Sequence, residues 1–492
     1  MSRFPGEVGI LHSELSAGER YDTWRSARAG KIKIIVGPRS ALFTPFANPG
    51  LIVVDECHDG SYYQGDLSPR YHAVRSAVEY ANICGAVCIL GSATPDVSTT
   101  FDSKKGRLVY LSLPDRILAH RRVIQDQINQ AEISAEDNRY KDLTEDLQMA
   151  DLPAVEIVDM RDELRQGNRS IFSYALQDSL SAILEKNQQA ILFLNRRGSA
   201  SYVFCRDCGH ALRCPRCDTS LTAHQRDKSL SCHHCGYRRN IPNTCPACGS
   251  ERIRHLGTGT EEVENALKKQ YPTVRTLRWD RDTTRKKGAH WKIMEEFSSH
   301  QADVLIGTQM LAKGLDLPLV TLVGVVIADS GLHLPDYKAS ERTFQVLTQV
   351  AGRAGRSPLG GKVILQTFDP DHYVIQAAAG HDYQDFYNQE IEYRRDLGYP
   401  PFTNLVRLET RAADPQTVEK KARAYAEILN GWIKTEGYRA TRLVGPVPAY
   451  FSKIRGEYRW QILLKGPNPI NLVRDHPPDA DWIIEVNPPV IL

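Results

Sequence analysis

Eight of the eleven cysteines fall between positions 205 and 248, in four C-x₂-C pairs: Cys205 with Cys208, Cys214 with Cys217, Cys232 with Cys235, and Cys245 with Cys248. A two-residue gap lets both thiolates face one concave knuckle, and two knuckles supply a tetrahedral S₄ site for Zn²⁺. Four knuckles therefore predict two zinc ions. Disulfides at these spacings would need an oxidising compartment, and Met1–Ile10 contains no apolar signal core. The stretch is poor in aliphatic residues and rich in Arg, His and Gly, so the ions are expected to replace a hydrophobic core. Two further groups have types and spacing suited to chemistry. Asp55-Glu56-Cys57-His58 closes an apolar run, and Arg353 and Arg356 follow Gln349 on a Gly-containing stretch. Adjacent carboxylates at a strand end can hold Mg²⁺ through water and orient an attacking water. Two arginines one helical turn apart can reach a γ-phosphate, because the guanidinium fork matches phosphate and stays charged.

The elements that must position these groups alternate strand and helix. Lys33–Gly37, Leu51–Val54 and Ala86–Leu90 are strand runs, the second delivering Asp55 and Glu56 at its C-terminal edge. Pro153–Met160, Ala190–Leu194 and Val304–Gly307 also read as strands. Leu180, Ile183 and Leu184 follow helical spacing. So do Val263 and Leu267, after a Gly257-Thr258-Gly259-Thr260-Glu261 turn whose free amides suit a phosphate. The order predicts an α/β protein with the cysteine stretch, 203–254, inserted in it. Arg116–Ala150 is charged and Gln/Asn-rich, which reads as a solvated helical or partly disordered connector. Toward the C-terminus, strands over Leu405–Thr410, Arg459–Lys465 and Trp482–Val486 with a Val418–Trp432 helical stripe predict a small α+β domain of β-α-β-β order. A length of 492 residues predicts two to four domains, and 25 % charged with 41 % hydrophobic residues suits a soluble globular protein. A net charge of +3 leaves any nucleic-acid affinity to local clusters. The longest apolar run, Leu319–Ala328, is half of the ~20 residues a spanning helix needs. The chain is expected to be cytoplasmic, with Cys57, Cys84 and Cys88 as core fillers.

The strand–DExH–strand–Ser92-Ala93-Thr94 order matches motifs II and III of superfamily 2 helicases, and Gly37-Pro38-Arg39-Ser40-Ala41 resembles their motif Ib. Asn195-Arg196-Arg197-Gly198 resembles motif IV, Val304–Gln309 through Lys313-Gly314 to Asp316 resembles motif V, and Gln349–Arg356 reads Q-x-x-G-R-x-G-R, motif VI. With His12, Leu15, Trp24 and the aromatic segments Tyr62-Tyr63-Gln64 and Tyr71-His72, the chain resembles the PriA family of primosomal, replication-restart DNA helicases. The resemblance implies RecA-like helicase lobes at 1–115 (incomplete) and 153–375, joined by a connector at 116–152. A double zinc insertion in the second lobe and a C-terminal α+β domain at 376–492 complete the implied plan. It further implies an ATP-dependent 3′–5′ DNA helicase in which Asp55, Glu56, His58, Gln349, Arg353 and Arg356 do the chemistry. Asp55, Gly314, Asp316, Arg353 and Arg356 would contact Mg²⁺ and nucleotide. The implied partners are forked and single-stranded DNA, primosome proteins and the tail of the single-stranded-DNA-binding protein, with no membrane partner; the aromatic segments suit base stacking.

The departures from the family pattern carry their own expectations. No G-x-x-x-x-G-K-[ST] occurs, and Gly360-Gly361-Lys362 is followed by Val363. In the family the phosphate loop precedes the segment where this chain begins. The expectation is therefore a member without its N-terminal half, by truncation, gene decay or a mis-called start, with ATP hydrolysis impaired and apolar surface of lobe 1 exposed. The alternatives are a non-catalytic, zinc-dependent scaffold for DNA or primosome proteins, and a decayed fragment. Cys57 stands where the family usually has an acidic residue. The zinc ligands can pair as neighbours, or nested, with Cys214, Cys217, Cys232 and Cys235 inside Cys205, Cys208, Cys245 and Cys248. The nested form resembles the family and brings the insertion's two ends together. Arg213, Arg216, Arg226, Arg238, Arg239, Arg252 and Arg254 make the insertion basic, which suits a DNA backbone or a partner protein equally.

Overall fold

The computed structural model describes residues 3–12, 14–65, 67–113, 117–120, 141–144, 147–149, 152–195, 201–216, 220–224, 229–233, 235–255, 259–280, 282–284, 288–308, 317, 320–355 and 360–491. They form two compact units, 1–108 with 485–489, and 109–484 with 490–492. Among the described residues, no helix is long and apolar enough to cross a membrane.

The first unit is built from short parallel pairs. Val8–Ile10 pairs with Ile34–Val36 across the helix Ala17–Arg28, which Ser16 and Glu19 close with a capping box. Leu51–Val54 pairs in parallel with Val87–Leu90 across the helix Ala73–Cys84. Strand alternation sends Val54 and Leu90 into a cluster with Cys57, Val74 and Ala77. It leaves Leu51, Val53, Val87 and Ile89 exposed on the opposite face. Parallel sheets normally carry cover on both faces, so this open apolar face is a liability for association.

The second unit contains a six-stranded, all-parallel sheet in the order Ala154–Asp159, Lys362–Thr367, Val320–Ile327, Gln189–Leu194, Val304–Gly307, Thr276–Trp279. The two strands Gln189–Leu194 and Val304–Gly307 are buried along their whole length, which is why they read as continuous apolar runs. Leu176, Leu180 and Ile183 of the helix Tyr174–Glu185, and Val263 and Leu267 of Thr260–Gln270, pack on this sheet.

The cysteine insertion leaves after Gln189–Leu194 and returns before Thr260–Gln270. Its sheet is five-stranded, in the order Arg238–Asn240, Ser229–Ser231, Thr222–His224, Ser201–Cys205, Ile253–His255. It is not coreless: Val203, Leu212, Leu221 and Leu230 are buried around Cys214 and Cys232. Apolar residues from its strands and from the turns between them supply a core that Cys214 and Cys232 join rather than replace.

Two further differences concern the connector and the C-terminus. Within the connector, Ile117–His120, Lys141–Thr144 and Leu147–Met149 form a three-stranded antiparallel sheet, so the helical reading fails over those residues. Its helical periodicity is weak, and local antiparallel pairing prevails. In the C-terminal domain, Asn404–Ala412, Glu457–Gly466 and an unforeseen 13-residue strand, Arg442–Ile454, pair antiparallel under the helix Pro415–Thr435. The helix Pro469–Asp475 and the strand Ile483–Val486 follow.

Candidate metal centres and motif clusters

Three of the four C-x₂-C pairs fold into one repeated turn. Gly209 N–H donates to Cys205 O, Gly236 N–H to Cys232 O, and Gly249 N–H to Cys245 O, each at 2.9 Å. Cys205 N–H, Cys232 N–H and Cys245 N–H return to the carbonyls of His210, Tyr237 and Ser250 at 3.0, 2.8 and 2.7 Å. The residue after the second cysteine takes φ of +75°, +75° and +74°, which favours glycine. C-x₂-C-G is visible in the sequence, and these glycines are the functional residues that a count of cysteines alone passes over. The fourth pair includes Cys217, which lies outside the described residues.

The sulfurs gather in nested fashion. Cys205, Cys208, Cys245 and Cys248 form one group, and Cys214, Cys232 and Cys235 another, with ligand atoms within 4.8 Å of one another. The closest pairs, Cys205–Cys248, Cys208–Cys245 and Cys214–Cys235, are each 3.6 Å apart. A tetrahedral Zn–S₄ site with bonds of ~2.3 Å sets its sulfurs about 3.8 Å apart, whereas a disulfide needs about 2.05 Å. The donor set therefore fits a thiophilic dication. Burial, then hydrogen bonds to neighbouring thiols, pushes the Cys208 thiol up to about 12. For Cys245 burial also opposes ionisation, but the N–H groups of Cys248 and Ala247 outweigh it and hold the thiol below its ordinary value. Around the clusters, Arg206, Arg213, Arg216, Arg238, Arg239 and Arg252 are exposed, Arg252 pairing with Asp207 at 3.3 Å.

In the first unit, Asp55 and Glu56 stand exposed at the end of Leu51–Val54. Glu56 adopts φ +47°, a conformation non-glycine residues rarely take, and its N–H donates to Asp55 Oδ1 at 2.9 Å. His58 Nδ1 lies 2.6 Å from Ser92 Oγ and 3.5 Å from Glu56 Oε2. Ser92 Oγ accepts from Thr94 N–H at 3.0 Å, so the DExH and Ser-Ala-Thr turns are joined. Cys57 is buried, and that burial, then Asp96, pushes its thiol up to about 12; it stays a neutral core group. The aromatic segment is engaged inside the unit. Tyr62 OH donates to Asp55 O, Tyr63 OH to Glu485 Oε1, and Phe43 meets Tyr71 at 5.1 Å. Arg39 holds the same segment by donating to Ser61 O and Tyr63 O.

In the second unit, Gln349 and Arg353 sit one turn apart on the helix Ala339–Ala354, Arg353 buried and Gln349 half-buried. Gly314, Asp316, Arg356, Arg196 and Arg197 lie outside the described residues. Asp329, just past the strand Val320–Ile327, is a strand-end carboxylate that motif reading passed over. It accepts from Thr367 OH at 2.7 Å and from Phe368 N–H at 3.1 Å. Burial pushes its carboxyl up to about 6. The signal was available, since Asp329 follows an apolar run as Asp55 does.

The helix Thr260–Gln270 does not present a bare anion hole. Thr260 OH donates to Asp280 Oδ2 at 2.6 Å, and Glu261, Glu262 and Asp282 line the same hollow beside Arg278. Burial raises the Asp280 carboxyl, but the Thr260 hydroxyl and the N–H groups of Thr283 and Asp282 outweigh it and keep it ionised. Four carboxylates against one guanidinium oppose a phosphate there.

Comparison with known proteins agrees with this layout. Residues 251–358, which include the strands Thr276–Trp279, Val304–Gly307 and Val320–Ile327 and the helix Ala339–Ala354, match the helicase conserved C-terminal domain. Residues 214–239 match the PriA DNA helicase Cys-rich region domain, and 395–474 match the primosomal protein N C-terminal domain. The replication restart protein PriA of Bacillus subtilis is 43 % identical over 463 residues, 94 % of this chain and 53 % of that protein. The Synechocystis protein of the same name is 44 % identical over 476 residues (96 % and 54 %), and the Thermotoga maritima one 32 % over 459 (93 % and 56 %). This chain belongs to the PriA family. It spans a little over half the length of those three relatives.

Proposed function

We propose that this chain serves DNA replication restart, binding forked or single-stranded DNA and nucleating primosome assembly. The observation that carries the reading is the nested cysteine module set between the strand Gln189–Leu194 and the helix Thr260–Gln270 of an α/β lobe whose helix Ala339–Ala354 carries Gln349 and Arg353. Relatives 43 % and 44 % identical to this chain are named replication restart proteins. Cys205, Cys208, Cys245 and Cys248 would hold one Zn²⁺, and Cys214, Cys232 and Cys235, with Cys217, a second; the ions supply structural order, not chemistry. Exposed arginines around the module supply the non-specific grip on phosphates. Primosome proteins and the single-stranded-DNA-binding protein's tail are the protein partners, and the cytoplasm, which keeps such thiols reduced, is the place of work.

Asp55, Glu56 and His58 would serve Mg²⁺ and water, and Gln349, Arg353 and Arg356 the γ-phosphate, as in an ATP-dependent helicase. The sequence contains no G-x-x-x-x-G-K-[ST] to grip the β- and γ-phosphates. The chain by itself is therefore expected to bind DNA with little ATP turnover. That same lack favours a second reading, a zinc-dependent scaffold indifferent to ATP.

The test is fluorescence anisotropy of the purified chain on forked DNA at several salt concentrations, beside a DNA-stimulated ATPase assay. Salt-sensitive binding with no turnover above background is the expected result. Robust turnover refutes the impairment, and failure to bind DNA refutes the reading as a whole. Arg353→Ala separates the two readings: a scaffold keeps its DNA affinity in that variant and loses it on chelation.

A further inference from the structure

The two cysteine clusters are seated on different parts of the second unit. The outer one rests on the helicase lobe: Phe204 meets Phe368 at 4.9 Å, and a Cβ on Gly209 would overlap the Phe368 carbonyl. The inner one rests on the C-terminal domain. His233, held between Cys232 and Cys235, is buried, and its ring meets Tyr450 edge-on at 5.3 Å. Its Nδ1 lies 3.4 Å from Pro448 O, and its own carbonyl is 3.5 Å from Gln461 Nε2. A Cβ on Gly236, the next glycine, would come within 3.2 Å of Val447 Cγ1. Val447, Pro448 and Tyr450 all belong to the strand Arg442–Ile454.

We propose that the inner cluster is a metal-dependent latch for the C-terminal domain. An ion on Cys214, Cys232 and Cys235 fixes the 232–236 loop, and that loop holds Arg442–Ile454 against the module; the outer cluster has no part in this hold. The inference rests on the metal binding proposed above. Two backbone hydrogen bonds close the loop, Gly236 N–H to Cys232 O and Cys232 N–H to Tyr237 O, and Cys232 packs into the module's core. Two such bonds contribute on the order of 1 kcal/mol each, against roughly 1–2 kcal/mol per residue to order the backbone. An ion bonded to the two cysteines of the loop adds to these interactions in presenting His233 in one place. Thermodynamic linkage makes the coupling reciprocal: whatever weakens docking must weaken metal retention at the inner cluster by the same factor.

The experiment uses the full chain loaded with zinc, with elemental analysis, hydrogen exchange by mass spectrometry, and zinc loss to a colorimetric chelator as readouts. Cys235→Ser should carry one zinc in place of two, and the amides of 442–454 should exchange about tenfold faster or more while those of 320–327 stay protected. Tyr450→Ala should keep two zinc ions, expose the same amides, and lose one of the two ions about tenfold faster. Cys248→Ser should leave 442–454 as it was. A Cys235→Ser chain that loses one zinc with 442–454 still protected overturns the latch, as does faster exchange there in Cys248→Ser. If Cys235→Ser instead unfolds the lobe, Tyr450→Ala decides the matter, since zinc loss at the parent rate overturns the proposal. A Cys235→Ser chain that retains two zinc ions refutes the metal reading itself, and the latch with it.

Discussion

Arg394→Met strikes a fully buried charge in the second unit. Arg394 is fully buried, its Nη2 is 3.0 Å from Glu341 Oε2, and its Nε is 2.7 Å from Glu390 Oε1. It joins the helix Tyr383–Leu397 to Ala339–Ala354, the helix that carries Gln349 and Arg353. In the variant, Glu341 still has Lys338 at 3.8 Å, and Glu390 keeps the Tyr373 hydroxyl at 2.6 Å, so Glu390 is the charge left without a cation nearby. Removing one partner of a buried ion pair costs about 3–5 kcal/mol, or roughly two to four orders of magnitude in the local opening constant. Native-state hydrogen exchange of Tyr383–Leu397 reads that constant directly and does not require the whole chain to unfold in one step. The pH dependence has a definite sign. Burial already raises the Glu390 carboxyl, and without Arg394 it rises further. A carboxyl raised in the folded state stabilises the fold at low pH and loses that stabilisation as pH climbs through its folded value. The deficit of the variant should therefore shrink when pH falls from 8 to 5. Replacing Glu341 and Glu390 by leucine in the Arg394→Met background should recover most of the loss, since an apolar trio of similar volume needs no desolvation. A deficit below ~1 kcal/mol, the scale of an exposed pair, or one that does not vary with pH, would refute the reasoning.

Two substitutions at knuckle glycines separate strain from collision. Gly249→Ala, with φ +74° and open space around its Cβ, should cost only the left-handed backbone penalty of roughly 1–2 kcal/mol. Gly209→Ala adds overlap with the Phe368 carbonyl, which cannot rotate aside, so its melting temperature and outer-cluster zinc retention should fall further; equal losses in the two variants would count against the seat of that knuckle on the lobe. For Asp329, the carboxyl rises from an ordinary 3.8 to about 6 by burial, so the folded state holds a proton that the unfolded state has released. Stability should fall as pH rises from about 4 to 6, by up to about 3 kcal/mol at 1.36 kcal/mol per pKa unit. Exchange of the Val320–Ile327 amides measures this, and an Asp329→Asn chain with the same slope would exclude Asp329 as its source.

The parallel sheet was legible because its strands are buried on both faces. Ala190–Leu194 and Val304–Gly307 are runs with no polar interruption, and burial of that kind leaves a mark on every residue. The cysteine pairs were legible for a similar reason, since one spacing serves one turn geometry. Arg442–Ile454 was not. Gly445, Pro446 and Pro448 give it the look of a loop, and its register against Glu457–Gly466 shifts twice, after Val444 and after Pro448. A strand of that kind exists because its partner pairs with it, and pairing across a sheet is not written in local propensity. The acidic hollow at Thr260 was hidden by distance along the chain: Asp280 arrives twenty residues later, from the turn after Thr276–Trp279.

Where the insertion touches its surroundings follows from its composition. Most of its buried apolar side chains, among them Val203, Leu212, Leu221 and Leu230, face one another around Cys214 and Cys232. Phe204 and Ala211 turn outward instead and cluster with Phe368. The module meets its neighbours close to its cysteines: at Phe204 and Gly209, which flank the first knuckle, and at His233 and Gly236, within and just after the third. Glycine at Gly209 lets backbone approach backbone, and the His233 ring, between two cysteines, is buried against Tyr450. If the latch proposed above holds, metal content and domain position are linked. A substitution that leaves every thiol in place, such as Tyr450→Ala, should still register as a change in zinc retention.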